Sequence, residues 1–378
     1  MEQALEKLFE VVEDPYKVVA GWKESTKGKV VGCFPMHIPE EIIYASGMLP
    51  VVLWRGNEPV TEGHAHVPPF NCGLTRSFVD DGVRGKLNFI DGMIFYRTCL
   101  QAGGLPFIID RNVKTSFIEF LYLPANFPGA GTRDFLIHEL GRFKSLMEEK
   151  SGQPITEESL NRSIEIYNKN RALLRKINDI RKSRPGVITP REMLAIVQSS
   201  MLMPKEKHND LLESLLPELE KREAPSDGRK KVIIAGSLCQ TPRLDILDLI
   251  DHLGMVVVDD DMYVGSRYFA NDAEEGINPL ESLATRYQQK SPPCPTKGEW
   301  ELDWSDYLND MVKKNQAAGV ISLLIKFCPP HLCYYPDVKN RLADLGVPHV
   351  MLELEHEAVS LEQSRTKLQS FLEMIGGV

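Results

Sequence analysis

The sequence predicts an α/β fold: two Rossmann-like parallel-sheet α/β domains with a helical middle region. Short apolar runs alternate with segments of helical period between Lys29 and Leu123, and again between Lys231 and Leu354. That is the rhythm of β-α-β units on a parallel sheet. Between them, from Arg133 to about Arg222, long charged segments with helical spacing dominate. Ala224-Pro225-Ser226-Asp227-Gly228 has the composition of a linker. The expected domains are 1–132 with a leading helix, a helical region 133–227, and 228–378.

In chain order, Leu5, Leu8, Phe9 and Val12 at helical spacing predict a helix over 3–22. Lys29 to Phe34 reads as a strand. Glu40 to Ala45 reads as a helix opened by Pro39, with acids in its first turn and Gly47 ending it. Pro50 to Trp54 is the next strand, Leu74 to Arg84 a helix, and Asp91 to Tyr96 and Phe117 to Leu123 further strands. In the middle region, helices cover Glu157 to Lys182 and Pro204 to Lys221, with a break at Ser183-Arg184-Pro185-Gly186. Thr189-Pro190 caps another, with Pro in the first turn. The last part gives strands at Lys231–Gly236, Met255–Asp259, Gly319–Ile325 and His349–Leu354. Its helices fall at Asp245–Leu253, Val338–Leu345 and Leu361–Ile375.

Hydrophobic residues make up 43% of the chain and charged residues 26%, enough for a globular core without disulfide staples. A net charge of −9 and a pI of about 5.6 argue against nucleic acid as the main partner, because phosphate neutralisation needs a basic face. The first ten residues lack the pattern of a signal peptide. No apolar run reaches the ~18–20 residues of a membrane helix. The expectation is a cytoplasmic protein with no membrane partner. Such a compartment disfavours disulfides, so seven irregularly spaced cysteines suit free thiols and metal ligands.

Cys99 and Cys328 follow apolar strands, and Cys72 precedes a helix. Strand ends are where open α/β sheets gather ligands, and helix N-termini favour thiolates. Three such thiolates can hold an iron–sulfur cluster, or zinc. The plainer reading of any of them is a buried small hydrophobe. Cys33 reads as core, Cys239 as lining a cleft, Cys294 as a loop residue, and Cys333 as the main rival for the third ligand position. No phosphate-binding loop and no dinucleotide fingerprint are present, so ATP or NAD would belong to another chain. His37, Glu40 and Glu41 are acid–base candidates, although a capping acid pair is the favoured reading for Glu40. His64 and His66 suggest a metal or a solvated loop. Asp259-Asp260-Asp261 could bind a cation or end a strand, and Arg267 could hold an anion or pair with that acid run.

The stretch from Gly32-Cys33-Phe34-Pro35 through Pro39-Glu40-Glu41-Ile42-Ile43-Tyr44-Ala45-Ser46-Gly47-Met48-Leu49-Pro50-Val51 resembles the opening of the benzoyl-CoA reductase and 2-hydroxyacyl-CoA dehydratase family. The likeness continues through Phe70-Asn71-Cys72-Gly73-Leu74-Thr75-Arg76-Ser77, Gly85 to Gly92, Cys99, Lys326-Phe327-Cys328-Pro329 and Gly346-Val347-Pro348. The resemblance implies a [4Fe-4S] cluster held by Cys72, Cys99 and Cys328, with the fourth iron position open. It implies as partners a homologous larger catalytic subunit and an ATP-hydrolysing iron–sulfur activator. The implied substrate is an aromatic or 2-hydroxy acyl-CoA thioester reduced to a ketyl-type radical. Glu58 to His64, and Cys99-Leu100-Gln101-Ala102 in place of the family's commoner Cys-Asp, are similar to the smaller catalytic-core subunit of ATP-dependent benzoyl-CoA reductase. Pro329 likewise replaces an Asp. The expected function is ring reduction of benzoyl-CoA, with His37 and Glu41 handling protons or positioning groups. The alternatives are the smaller subunit of a 2-hydroxyacyl-CoA dehydratase, a non-catalytic scaffold subunit and a zinc-binding α/β protein.

Overall fold

The computed structural model describes residues 3–53, 59–225, 228–237, 239–297, 303–355 and 360–376. Trp54 of the second expected strand, Glu58, linker residues Ser226 and Asp227, and Leu238 lie outside the described residues.

The chain opens with α1 (Gln3–Glu13) and α2 (Pro15–Thr26). The single helix expected over 3–22 is therefore two. Pro15 stands in the first turn of α2, where its missing N–H costs nothing, and Asp14 is the N-cap. The first sheet follows as β1 (Val30–Phe34), α3 (Glu40–Ala45), β2 (Leu49–Val52), α4 (Gly73–Val83), β3 (Gly92–Tyr96), α5 (Leu100–Asn112) and β4 (Phe117–Leu121). Four long helices come next: α6 (Thr132–Ser151), α7 (Glu157–Ser183), α8 (Pro190–Ser200) and α9 (Lys205–Lys221). Thr189 and Glu192 form a reciprocal capping box at the start of α8. The second sheet is built from β5 (Lys230–Gly236), α10 (Leu244–His252), β6 (Met255–Asp260), α11 (Pro279–Gln288), α12 (Trp304–Asn315), β7 (Gly319–Ile325), α13 (Pro329–Asp344) and β8 (His349–Leu354). The final helix is α14 (Glu362–Met374).

Both sheets are four-stranded and all parallel. Their orders are β2-β1-β3-β4 and β6-β5-β7-β8, the same winding used twice. Central strands β1, β3 and β7 are buried along their whole length, as strands covered on both faces must be. One continuous hydrophobic cluster runs through both sheets and the middle helices. A smaller cluster around Trp304 and Val258 fills the other face of the second sheet. Helix α7 lies against α9 and α3 and reaches β6, so the helical region touches both halves.

Helix α5 was not expected, because Gly103, Gly104 and Pro106 weaken its signal. Helix α13 starts nine residues before the expected Val338 and carries Pro336 inside it. Among the described residues no helix is long and apolar enough to cross a membrane.

Candidate functional site

In a parallel sheet wound in both directions from a central pair, the strand ends at the reversal leave a crevice. Here the reversals lie between β1 and β3, and between β5 and β7. The carboxyl ends of these four strands border one cavity of about 530 Å³ of atom-free space. Its wall is made by Phe34–Met36 after β1, Thr98 and Cys99 after β3, Ser237, Cys239 and Gln240 after β5, and Ile325 and Cys328 at β7. Cys72 and Thr75 of α4 close it. Cys72, Cys99 and Cys328 thus line the same cavity although they are far apart in sequence. Cys99, Cys239 and Cys328 each stand three residues beyond the last residue of a strand. His37 holds that position after β1, in a left-handed conformation with φ 63°.

Cys72, Cys99 and Cys328 are also the N-cap residues of α4, α5 and α13. Three helix N-termini therefore meet at the cavity, and their partial positive charge favours an anion there. Cys99 Sγ accepts the N–H of Ala102 at 3.4 Å. Cys72 Sγ lies 3.6 Å from Thr75 Oγ1, and Cys328 Sγ lies 3.3 Å from His331 Nδ1.

One side chain ties the three segments together. Gln101 Oε1 accepts the N–H of Cys72 at 2.9 Å, while Gln101 Nε2 donates to the carbonyls of Phe70 at 3.1 Å and Phe327 at 2.9 Å. Gln101 thus supplies hydrogen bonds beside Cys99. On the second sheet, Ser237 Oγ accepts the N–H of Ile325 at 2.9 Å and locks the end of β5 to β7. Gly236 precedes it at φ 138°, where a Cβ would stand 2.2 Å from the Leu323 carbonyl oxygen, so only glycine allows this approach.

Burial pushes the Cys72 thiol up, and pushes Cys328 up to about 12, with the neighbouring Cys72 thiolate adding to the effect. Burial also drives Cys239 well up, reinforced by Cys328, Cys294, Cys99 and Cys72. Without a cation Cys72, Cys239 and Cys328 are held as thiols; bound iron would offset that cost. The polar atoms Gln240 Oε1 and His331 Nε2 are buried without a hydrogen-bond partner, and both residues line the cavity. Soft donors, helix N-termini and two unpartnered polar atoms around an otherwise apolar space fit an anionic iron–sulfur cluster. Among the described residues, no three His, Cys, Asp or Glu side chains stand close enough to hold one metal ion. A zinc site has no such ligand group ready made, whereas a cubic cluster takes thiolates at the corners of a larger body.

His37 and Glu41 line a second cavity of about 900 Å³ of atom-free space, beyond the Phe34–Met36 wall. Glu40 and Glu41 stand in the first turn of α3, as a capping acid pair would, and both are buried. Helices α7 and α9 of the middle region and the turn after β6 supply their partners. Glu41 pairs with Arg171 at 2.8 Å. Tyr268 donates to Glu40 at 2.9 Å, and Lys205 donates to the Tyr268 hydroxyl at 2.6 Å and stands 3.6 Å from Glu40. Burial raises the Glu40 carboxyl and lowers Lys205 to about 8, so both are driven towards neutrality. Burial, with Lys297, Arg267 and Arg286 nearby, holds His37 well below its usual range. The same surroundings disfavour the imidazolium, so the ring is held in its neutral form.

The remaining candidates resolve into structure. Cys33 is core, Cys294 is buried in its loop, and Cys333 is exposed on α13, away from the cavity wall, so it is no rival for the third position. Asp259, Asp260 and Asp261 pair with Lys182, Arg181 and Arg267. Arg267 is held by both oxygens of Asp261. His64 sits in a short 3-10 turn, and neither it nor His66 belongs to a metal-holding group among the described residues. Sequence reasoning missed Gln101, His331, Arg171 and Lys205, whose roles depend on partners distant in the chain.

A family model described as 2-hydroxyglutaryl-CoA dehydratase, D-component, matches residues 35–375. The (R)-phenyllactyl-CoA dehydratase beta subunit of Clostridium sporogenes is 28% identical over 370 residues, covering 97% of each chain. A benzoyl-CoA reductase subunit of Thauera aromatica is 28% identical over 358 residues, covering 94% of this chain and 93% of its own. The beta subunit of lactoyl-CoA dehydratase of Anaerotignum propionicum is 29% identical over 378 residues, covering 99% of each.

Proposed function

The chain belongs to the 2-hydroxyglutaryl-CoA dehydratase D-component family, and on that premise we propose that it is the smaller iron–sulfur subunit of an enzyme acting on coenzyme A thioesters by one-electron reduction. The observation that carries this reading is the meeting of Cys72, Cys99 and Cys328 on one apolar cavity, each at a helix N-terminus. A [4Fe-4S] cluster there would supply a centre that takes up and gives out single electrons. Cys72, Cys99 and Cys328 hold it, the helix N-termini favour its negative charge, and Phe34, Met36 and Ile325 keep water away. Gln101 fixes the spacing of the three cysteine segments.

His37 and Glu41 serve the neighbouring cavity. Glu41, held by Arg171, and the neutral His37 ring position groups there. The partners are a related larger subunit and an ATP-hydrolysing iron–sulfur activator, in a cytoplasmic setting. The three-part division at residues 132 and 227 belongs to the same proposal.

The reaction put first is radical dehydration of a 2-hydroxyacyl-CoA, supported by the family description and by two dehydratase beta subunits among the relatives. Reduction of benzoyl-CoA, expected from Cys99-Leu100-Gln101-Ala102, is the second reading, supported by similarity at the same identity to a benzoyl-CoA reductase subunit. An anaerobic assay of the assembled enzyme with each thioester separates them. Dehydration recycles its electron and needs only a trace of reductant, while ring reduction consumes reductant in proportion to product. An iron-loaded complex that turns over neither would overturn the proposal.

A further inference from the structure

We infer that the second cavity binds the anion of a small carboxylic acid, with Arg286, Tyr167 and Tyr263 holding the carboxylate and an apolar chain lying along leucine side chains. This rests on the cavity being a working site, as read for His37 and Glu41 above, and not on the cluster.

The charges around this cavity leave one cation over. Arg171 is matched by Glu41 at 2.8 Å, Lys205 by Glu40 at 3.6 Å and Arg267 by Asp261 at 2.6 Å. Lys290 is exposed to water. Arg286 is half-buried on the cavity wall, and among the described residues no carboxylate pairs with it. Its Nε donates to the Asn271 carbonyl at 2.8 Å and its Nη2 reaches the Tyr268 carbonyl at 3.5 Å. The guanidinium is thereby fixed, while Nη1 has no partner among the described residues. Burial lowers Arg286 from its usual range, and Arg171 adds to the effect. A cation shielded from water is costly until an anion reaches it. The same excess of positive charge acts on His37, where Lys297, Arg267 and Arg286 reinforce the effect of burial.

Two buried hydroxyls on the wall are free to donate. Tyr263 accepts the His37 N–H at 3.2 Å, and its own hydroxyl hydrogen has no acceptor among the described residues. Tyr167 is 3% exposed and lines the cavity, and its hydroxyl has no partner among the described residues. Buried tyrosine hydroxyls usually find one. The neighbouring polar groups are already used: Lys205 donates to Ser200 and Tyr268, and Tyr268 donates to Glu40. One unmatched cation and three donors suit a singly charged carboxylate better than a doubly charged phosphate. Leu123, Leu136, Leu140 and Leu283 border the same cavity and are buried, which suits a short apolar chain on that carboxylate.

The test is calorimetric titration of the full chain at neutral pH with pentanoate, its neutral amide pentanamide, and inorganic phosphate. Pentanoate should saturate a single site, with pentanamide and phosphate at least about tenfold weaker. Arg286→Gln should weaken pentanoate about tenfold or more, through loss of a charge-assisted hydrogen bond. Tyr167→Phe, which gives up no hydrogen bond among the described residues, should weaken it about threefold. No saturable pentanoate binding, equal binding of pentanamide or phosphate, or an unchanged affinity in Arg286→Gln would overturn the assignment. If Arg286→Gln does not fold by circular dichroism, Tyr167→Phe decides: weaker binding supports the site, and unchanged binding contradicts it. Iron and sulfide are counted in the same samples. Pentanoate bound by a chain that takes up no iron would remove only the cluster reading, and an iron-loaded chain that ignores pentanoate would remove only this site.

Discussion

Gln101 donates to the carbonyl of Phe327 at 2.9 Å, across 226 residues of chain. With its bonds to Cys72 and Phe70 it joins the three segments that carry Cys72, Cys99 and Cys328. Phe327 adopts φ 62° immediately before Cys328, a left-handed conformation that a bulky residue holds only under constraint. Replacing Gln101 by Leu should cost about 0.5–1.5 kcal/mol, because the freed carbonyls of Phe70 and Phe327 are open to water. Urea unfolding of the metal-free protein checks the stability, and the rate of iron loss from the loaded protein checks the spacing. Both should worsen together.

The Glu41–Arg171 pair has nearly no solvent access, with side chains 3% and 4% exposed. Arg171→Met strands a carboxylate in the interior and should destabilise the chain by about 3–5 kcal/mol. Adding Glu41→Gln should recover part of that loss, because the uncompensated charge is gone. A denaturant double-mutant cycle measures the coupling; simple additivity would show the pair to be unimportant.

His208 is pushed down to about 3 by burial, with Lys205 adding to the effect. His349 is pushed down to about 4, again mainly by burial. An unfolded His titrates near about 6.5. Between those values the unfolded chain binds the extra protons, so this stability is complete above about pH 6.5 and is lost as pH falls. The thermal midpoint should drop on acidification from pH 6.5 towards 4. His208→Gln should flatten that slope, and an unchanged slope would remove His208 from the account.

Gly236 and Gly254 both have positive φ, yet only Gly236 is crowded. A Cβ at Gly236 would meet the Leu323 carbonyl oxygen at 2.2 Å, and one at Gly254 would meet nothing within 4 Å. Gly254→Ala should cost about 1–2 kcal/mol, the ordinary left-handed penalty. Gly236→Ala should cost more and should also disturb iron binding, because it moves the end of β5 away from β7 at the cavity wall. Parallel melting curves with iron counts compare the two.

The strands were legible because buried parallel strands are apolar runs bounded by turn residues; Gly319–Ile325 and His349–Leu354 match their expected bounds. The same reasoning missed α5 and the first turns of α13, where Gly103, Gly104, Pro106 and Pro336 look like breakers and tertiary contacts prevail. Strand-end cysteines were visible as a pattern, but their meeting on one cavity comes from the repeated winding of two sheets. Burial of Glu40 and Glu41 was not legible, because Arg171 and Lys205 arrive from helices more than a hundred residues further on.

The most direct measurement is iron and acid-labile sulfide per chain after anaerobic purification, with zinc counted in the same samples. The wild type should carry about four iron and four sulfide and almost no zinc. Cys72→Ala, Cys99→Ala and Cys328→Ala, each folded by circular dichroism, should lose most of both. A wild-type chain without iron and sulfide, or three variants that keep their full content, would contradict the account.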